Sequence, residues 1–289
     1  MCKYVSFVSV LSLIFAMEVS AQNNPPFVVP DNVTHIENIV YGTGGGRDLH
    51  LDLYLPDNDK PLRPGIVFVH GGGWRSGDKN RFSRQAAHMA SKGFVGACIE
   101  YRLSGEAKFP AAVQDCKCAV RWMRANAQKY RIDPRRIAAM GGSAGGHLVS
   151  MLGTTDERMP ELEGTGGHAQ YSSRIQAVVS FYGVADVRGL GLDHFFGQPY
   201  KDIPKVYELG SPLLHVTPGD APTLLCHGTN DKTVPFEQSV LYQEALQKAS
   251  VRVELKPADG GGHGCYNRMP WYAVGLEQME IFLTEILKP

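Results

Sequence analysis

One serine lies between two pairs of glycines in the stretch AAMGGSAGGH, which spans residues 138–147. The short apolar run RIAAM (136–140) precedes the serine, and a predicted helix over 147–152 follows it. Residues 141–145, GGSAG, fit the pattern G-x-S-x-G, in which a serine occupies a tight strand-to-helix turn and exposes its hydroxyl. Glycine permits such a turn because it has no Cβ atom. Ser143 is therefore the candidate nucleophile.

A second glycine run, HGGGW at residues 70–74, directly follows another predicted strand. Backbone N–H groups in such a run can face a developing oxyanion without obstruction from side chains. Gly72 and Gly73 are the candidate donors here, and the N–H of Ala144 is the third. Trp74 is a candidate wall of the substrate pocket or a further donor. A phosphate-binding loop is disfavoured because no lysine follows in the G-x-x-x-x-G-K-[ST] frame.

A serine hydroxyl is a weak nucleophile and needs a base, together with a group that orients the base. On a sheet of this kind the three residues occur in the chain order serine, acid, histidine. Asp231 lies in HGTNDKTVP (227–235) and His263 in GGGHG (260–264), each shortly after a predicted strand. The carboxyl ends of parallel strands are where such sheets bind ligands. Asp231 and His263 are therefore the candidate acid and base.

Other residues compete for these roles. Asp186 also follows a predicted strand and also precedes His263, so it stays open as an alternative acid. Asp259 lies on the histidine's own loop, and Asp220 precedes its strand, at the wrong edge of the sheet. His227 is interpreted as a structural residue at a strand end.

Alternating and apolar segments predict the elements that hold these residues. LHLDLYL (49–55) alternates strictly, which is typical of a half-buried strand. Apolar runs predict further strands covered on both faces at 65–70, 94–101, 136–140, 175–182, 222–227 and 251–256. Apolar positions at helical spacing predict amphipathic helices at 113–127 and 272–286. The fold class is therefore α/β, with a mainly parallel central sheet and helices on both faces.

The whole-chain composition excludes several partners. The 289 residues include 29 Lys+Arg and 29 Asp+Glu, and no long run of one sign occurs. A surface for nucleic acid is therefore not indicated. The spacing of the cysteines matches no common zinc pattern, and Cys98 and Cys226 lie inside predicted strands as core residues. The chemistry proposed for Ser143 requires no metal and no cofactor.

The N-terminus has the features of a signal peptide. Lys3 supplies a positive charge, residues 5–17 are apolar without a charge, and small residues at 19–21 suit cleavage before Gln22. An uncleaved membrane anchor is the alternative, although the apolar run is short for a membrane span. The mature protein is therefore expected to be exported, periplasmic or secreted, with no membrane span after cleavage.

These features divide the chain into three parts: a signal peptide (1–21), a flexible N-terminal arm (22–35) and one catalytic α/β domain (36–289). Two stretches inside the domain, 154–173 and 187–219, are rich in Gly, Pro and polar residues. They are interpreted as insertions near the site.

From about residue 36 onward the chain resembles α/β-hydrolases of the hormone-sensitive-lipase-like group. It more closely resembles exported bacterial esterases related to bifunctional feruloyl and acetyl-xylan esterases. The motifs that carry the resemblance are HGGGWRSGDK (70–79), EYRLSGEAKFPAAVQDCK (100–117), AVRWMRANA (119–127), IDPRRIAAMGGSAGGHL (132–148), HGTNDKTVPF (227–236) and GGGHG (260–264). The resemblance implies an α/β-hydrolase fold with Ser143, Asp231 and His263 as nucleophile, orienting acid and base.

The expected function is an exported serine carboxylesterase that works through an acyl-enzyme. Its expected substrate is a small acyl ester or an acylated plant cell-wall polysaccharide, carrying acetyl groups as in acetyl-xylan or feruloyl groups. A general small-ester carboxylesterase and an exported amidase or peptidase with the same triad are the alternatives. A non-catalytic protein would be expected to lack a triad member, and all three are present. The polar composition of 154–173 and 187–219 disfavours a lipase with an apolar lid.

Overall fold

Eight strands form one sheet in the computed structural model, which describes residues 27–57 and 62–288. Their order across the sheet is β1-β2-β4-β3-β5-β6-β7-β8. The strands are β1 (Val33–Gly44), β2 (Arg47–Pro56), β3 (Arg63–Val69), β4 (Val95–Ile99), β5 (Ile132–Gly142), β6 (Ala177–Phe181), β7 (Thr223–Gly228) and β8 (Val253–Ala258). Strands β3 to β8 are parallel, and β1 and β2 join them as an antiparallel pair.

Helices cover both faces of this sheet. They are α1 (Ser83–Ser91), α2 (Ala111–Ala125), α3 (Ala127–Tyr130), α4 (Ala144–Thr154), α5 (Asp193–Phe196), α6 (Pro204–Leu209), α7 (Glu237–Lys248) and α8 (Trp271–Leu287). Helices α1 and α8 pack on one face, while α2, α4 and α7 pack on the other. The predicted α/β fold is therefore confirmed, and both long predicted helices occur within two residues of their predicted bounds.

The alternation in β2 predicts a half-buried strand, but the structure buries residues on both of its faces. Leu51 and Leu53 are buried as expected, but Asp52 and Tyr54, which alternate with them, are buried as well. Asp52 is buried because its carboxylate binds Lys79 at 2.9 Å. Tyr54 is buried against the ring of His35 at 4.3 Å. Strand β2 is thus covered on both faces rather than half-buried.

The predicted flexible arm, 22–35, overlaps the first strand of the sheet. Strand β1 begins at Val33, so residues 33–35 pair with β2 instead of belonging to a flexible arm. Two irregularities in the register interrupt β1, and its buried, half-buried and exposed residues follow no regular alternation, which explains why this segment carries no strand signal. The predicted signal peptide, 1–21, lies outside the described residues. Within the described ranges, no helix is both long and apolar enough to cross a membrane.

The two predicted insertions have different positions. Helix α4 starts at the carboxyl edge of the sheet, so the segment 154–173 begins at the opposite edge. It packs against α2, where Glu163 binds both Lys117 and Arg121. The prediction that 154–173 lies near the site is therefore wrong. Segment 187–219 does reach the site, because His194 contacts the carbonyl of Gly73 at 3.0 Å.

The core contains the two cysteines that the sequence analysis predicts to be buried. Cys98 and Cys226 are buried in β4 and β7, as predicted. They and the remaining described cysteines, Cys116, Cys118 and Cys265, are all free thiols.

Candidate active site

Ser143 occupies the turn between β5 and α4. Its backbone has φ +56° and ψ −120°, a conformation that residues other than glycine rarely adopt. Such strain costs about 1–3 kcal/mol and persists only where the surrounding structure imposes it. Here the N–H of Ser143 donates to the carbonyl of Phe181 at 2.9 Å, and α4 starts at the next residue. The strained turn lifts the hydroxyl out of the sheet at its carboxyl edge.

Two of the neighbouring glycines are required by close packing of the backbone. A Cβ atom on Gly145 would lie 2.1 Å from the carbonyl oxygen of Val69 in β3. A Cβ atom on Gly141 would lie 2.4 Å from the carbonyl oxygen of Gly145. Any side chain at these positions would force α4 away from the sheet, so the glycines fix the position of Ser143.

A continuous hydrogen-bond chain runs from Ser143 through His263 to Asp231. The distance from Ser143 Oγ to His263 Nε2 is 3.0 Å, and that from His263 Nδ1 to Asp231 Oδ2 is 2.7 Å. Since a carboxylate can only accept, Nδ1 carries the imidazole proton and Nε2 is free to accept from the serine hydroxyl. The structure therefore brings together the three residues that the sequence analysis singled out.

Asp231 lies in the turn after β7, and its side chain is fully buried. Its Oδ1 accepts from the N–H groups of Thr233 at 2.8 Å and Val234 at 2.9 Å. These bonds leave Oδ2 directed at His263, which lies in the loop after β8. The backbone of its own turn thus holds the acid in one orientation.

A second histidine, His227, also contacts this carboxylate. Its Nε2 is 3.3 Å from Asp231 Oδ2 and 2.9 Å from the carbonyl oxygen of Val234. Both atoms are acceptors, so Nε2 carries the proton and Nδ1 accepts from the Ser239 hydroxyl at 2.7 Å. Burial lowers the pKa of His227, which keeps it neutral. The interpretation of His227 as structural fits this geometry, but its contact with the acid was not foreseen.

The glycine run 71–73 lies beside Ser143. A Cβ atom on Gly71 would lie 3.3 Å from the Cβ of Ser143 and 2.6 Å from the carbonyl oxygen of Gly142. Within the described chain, no group accepts a hydrogen bond from the N–H of Gly72 or Gly73. Ala144 is the first residue of α4, so its N–H has no acceptor within the helix. Within the described chain, these three N–H groups therefore have no backbone acceptor.

Trp74 does not line the cavity, contrary to the sequence-based prediction. It is buried with 4% exposure, its indole Nε1 donates to His147 Nδ1 at 3.3 Å, and its ring stacks on Phe195 at 4.7 Å. Its backbone φ of +57° turns the side chain beneath the loop. The Trp74 ring therefore packs beneath the glycine run and is not a wall of the cavity, and its indole N–H is bound to His147.

An open cavity of about 820 Å³ lies above Ser143. Its lining is mainly glycine and polar side chains; the members that the sequence analysis did not identify include Ser76, Asp78, Asn80, Arg81, Tyr182, Thr233, Asn267 and Arg268. Asn267 donates to the Tyr182 hydroxyl at 2.8 Å, and the Tyr182 ring packs edge-on against His263 at 5.0 Å. The positive φ of Tyr182, +39°, is a structural signal of a functional site that the sequence does not contain.

The alternative acids lie elsewhere. Asp186 binds Arg188 at 2.8 Å and faces Ser211. Asp220 caps the turn at Thr217, and Asp259 contacts a threonine hydroxyl on the β7 turn. Among the residues the structure describes, no cluster of three or more His, Cys, Asp or Glu side chains could hold a metal ion.

Comparison with known proteins gives the family. The model of the BD-FAE family matches residues 51–246, about two thirds of the sequence. The chain belongs to the BD-FAE family. A curated relative, the probable carboxylic ester hydrolase LipM of Mycobacterium tuberculosis, is 33% identical over 230 residues, which are 75% of this chain and 52% of LipM. The chain thus spans about half the length of the curated relatives that it matches.

Solved structures agree with this assignment to BD-FAE. A truncated carbohydrate esterase from gut microbiota superposes with a TM-score of 0.79 at 27% identity, over 89% of this chain and 97% of the other. A thermophilic esterase from the Planctomycetes species Thermogutta terrifontis gives a TM-score of 0.77 at 34% identity, over 86% and 92%. The chain therefore contains a domain of the α/β-hydrolase type that is similar to ester hydrolases, so the predicted fold is confirmed and the relatives support the predicted enzyme class.

Proposed function

We propose that the protein is an exported serine carboxylesterase in which Ser143 is the nucleophile, His263 the general base and Asp231 the acid that orients the histidine. The observation that carries this proposal is the hydrogen-bond chain Ser143–His263–Asp231, with bonds of 3.0 and 2.7 Å, on the floor of an open cavity. Nucleophile, base and orienter within hydrogen-bond reach are the arrangement that acyl transfer requires.

Each group has a defined step in this mechanism. Ser143 Oγ attacks the ester carbonyl while His263 Nε2 takes its proton. Asp231 holds the imidazole in the required tautomer and stabilises the imidazolium that forms. The N–H groups of Gly72, Gly73 and Ala144 bind the oxyanion, and loss of one such donor costs about 10²–10³ in kcat. His263 returns its proton to the leaving alcohol, and water then cleaves the acyl-enzyme by the same route.

The cavity lining supports a carbohydrate ester as the substrate. Asn80, Ser76 and Thr233 offer donors and acceptors for sugar hydroxyl groups. One of the similar solved structures is that of a carbohydrate esterase, which agrees with this lining. We therefore propose deacylation of plant cell-wall polysaccharide, as acetyl-xylan or as feruloyl esters. Export rests on the predicted signal peptide at 1–21, because polymers of this kind must be met outside the cell membrane.

The test is hydrolysis of acetylated xylan, methyl ferulate and 4-nitrophenyl acetate by purified residues 22–289. We expect release of acetate or ferulate, and its loss in Ser143→Ala and Asp231→Asn. Asp186→Asn is the matched control, because it removes a carboxylate outside the site and is expected to keep wild-type rates.

Three outcomes would change the proposal. Turnover of 4-nitrophenyl acetate alone would keep the esterase mechanism and refute the carbohydrate substrate. Turnover of aminoacyl anilides but of no ester would favour an amidase with the same residues. A Ser143→Ala variant with wild-type rates would refute the assignment of the nucleophile.

A further inference from the structure

Two arginines in the cavity above Ser143 have side chains without a partner in the part of the chain that the structure describes. Arg81 lies on the short 3₁₀ turn at 79–82 that follows the glycine run, and Arg268 lies on the histidine's loop. Within the described ranges, neither guanidinium is within ion-pair distance of a carboxylate or donates a hydrogen bond to any group. Both side chains line the cavity and both residues are exposed.

Many other arginines of the described chain are engaged, whereas Arg81 and Arg268 are open inside the cavity. Arg102 binds Asp115 at 2.7 Å, Arg188 binds Asp186 at 2.8 Å and Arg252 binds Glu285 at 2.7 Å. Arg124 donates to three backbone carbonyls. A guanidinium presents up to five N–H donors in a planar fork that matches a carboxylate. Two such forks left open at a site for ester chemistry are available to a substrate.

The balance of charge in the cavity favours an anion. Among the described residues, its charged lining side chains are Arg81, Arg268 and one carboxylate, Asp78, whose Oδ1 accepts from the N–H of Asn80 at 2.8 Å. The whole chain is formally neutral, so this local excess of positive charge is not a property of the overall surface. The two guanidinium groups outnumber the one carboxylate, and a local excess of positive charge attracts anionic ligands.

We propose that the natural substrate is an ester that carries a carboxylate group, which Arg81 and Arg268 bind while Ser143 attacks the acyl carbon. The proposal rests on the esterase function proposed above. The carboxylate belongs either to the alcohol part, as in an acylated uronic acid, or to the acyl part, as in a half-ester of a dicarboxylic acid. Both sources present the same charge to the two guanidinium groups, and matched substrates distinguish them.

The experiment compares kcat/KM within two pairs of esters at 20 mM and 500 mM NaCl. The acetylated methyl glycosides of glucuronic acid and of glucose differ at C6, which is a free carboxylate in the first and a hydroxymethyl group in the second. The 4-nitrophenyl esters of adipic acid (as the half-ester) and hexanoic acid differ only in the carboxylate of the acyl part. The variants are the double variant R81Q/R268Q, R81K, and the control R75Q, which alters an exposed arginine on the same loop that does not line the cavity.

We expect the wild type to prefer the carboxylate-bearing member of one pair by about tenfold at 20 mM NaCl, since a hydrogen bond to a charged group contributes about this factor. The ratio should fall at 500 mM NaCl because salt screens exposed charges. R81Q/R268Q should bring the ratio close to one, R81K should retain most of it, and R75Q should match the wild type. The preferred pair identifies which part of the ester carries the carboxylate.

Two results would overturn this proposal while leaving the esterase function intact. In one, the wild type hydrolyses both members of each pair with similar kcat/KM, while its hydrolysis of the neutral esters is lost in Ser143→Ala. The other is an unchanged ratio in R81Q/R268Q. A correctly folded enzyme that hydrolyses none of the four esters would instead refute the proposed function itself.

Discussion

His147 should make the protein lose stability as the pH falls below 6.5. It is fully buried on α4, where its Nε2 donates to the carbonyl of Gly210 at 2.8 Å and its Nδ1 accepts from the indole of Trp74 at 3.3 Å. Only the neutral imidazole satisfies both bonds, because a protonated Nδ1 would face another donor. Burial lowers the pKa of His147 to about 4 from its ordinary value of 6.5.

The sign and size of the effect follow from the two pKa values. Between pH 6.5 and pH 4 the unfolded chain binds a proton at this residue and the folded chain does not. The contribution of His147 to the free energy of unfolding is therefore complete above pH 6.5 and decreases as the pH falls. At about 1.36 kcal/mol for each unit of pKa difference, the loss is about 2 kcal/mol at pH 5 and about 3 kcal/mol at pH 4.

Urea unfolding of the wild type and His147→Gln at pH 7.0, 5.0 and 4.0 tests this reasoning. The glutamine cannot titrate, so the variant should be less stable at pH 7 but should lose about 3 kcal/mol less between pH 7 and pH 4. Comparison with the variant removes the contribution of the other titrating groups, including the buried and neutral His70 and His227. Equal loss of stability in the two proteins over this range would refute the argument.

Three further predictions concern the acid and the core. Asp231→Asn should lower kcat about 10⁴-fold with little change in Tm, because the amide N–H would face His263 Nδ1 and favour the wrong imidazole tautomer; stopped assays with an ester substrate measure it. Ser239→Ala should destabilise the fold by about 1–2 kcal/mol, since Nδ1 of His227 loses its hydroxyl donor at 2.7 Å, and an unchanged urea midpoint would contradict this. Asp115→Ala should cost about 3–5 kcal/mol because it leaves the guanidinium of Arg102 without its carboxylate, which a thermal melt would detect as a drop in Tm.

The local chemistry of the site was predictable because it depends on short stretches of chain. A strained serine turn needs residues without a Cβ atom on either side, and the GGSAG frame supplies them in five residues. Apolar runs of strand length place Ser143, Asp231 and His263 after strands, and parallel strands bring their carboxyl ends to one edge. The fold class and the candidate triad follow from these patterns together with the resemblance to a known family.

Tertiary packing determines the choice of the acid and the direction of Trp74, which these sequence patterns leave open. Asp186 and Asp231 both precede the histidine in the chain. Only the packed sheet brings Asp231 to 2.7 Å from His263, whereas Asp186 binds Arg188. The direction of Trp74 depends on its positive φ and on the ring of Phe195, which comes from a segment about 120 residues away. Neither determinant can be read from the residues next to Trp74.

The same reason explains the residues that the sequence analysis missed. Arg81 and Arg268 are exposed arginines on separate loops, and nothing in their neighbouring sequence relates one to the other. Strand β1 has no regular alternation because two irregularities in its register interrupt the pattern. The sequence by itself determined the identity and order of the reacting groups, because local backbone constraints encode them. Only the tertiary structure determined which distant side chains share the cavity, because that depends on how separate strands and loops pack together.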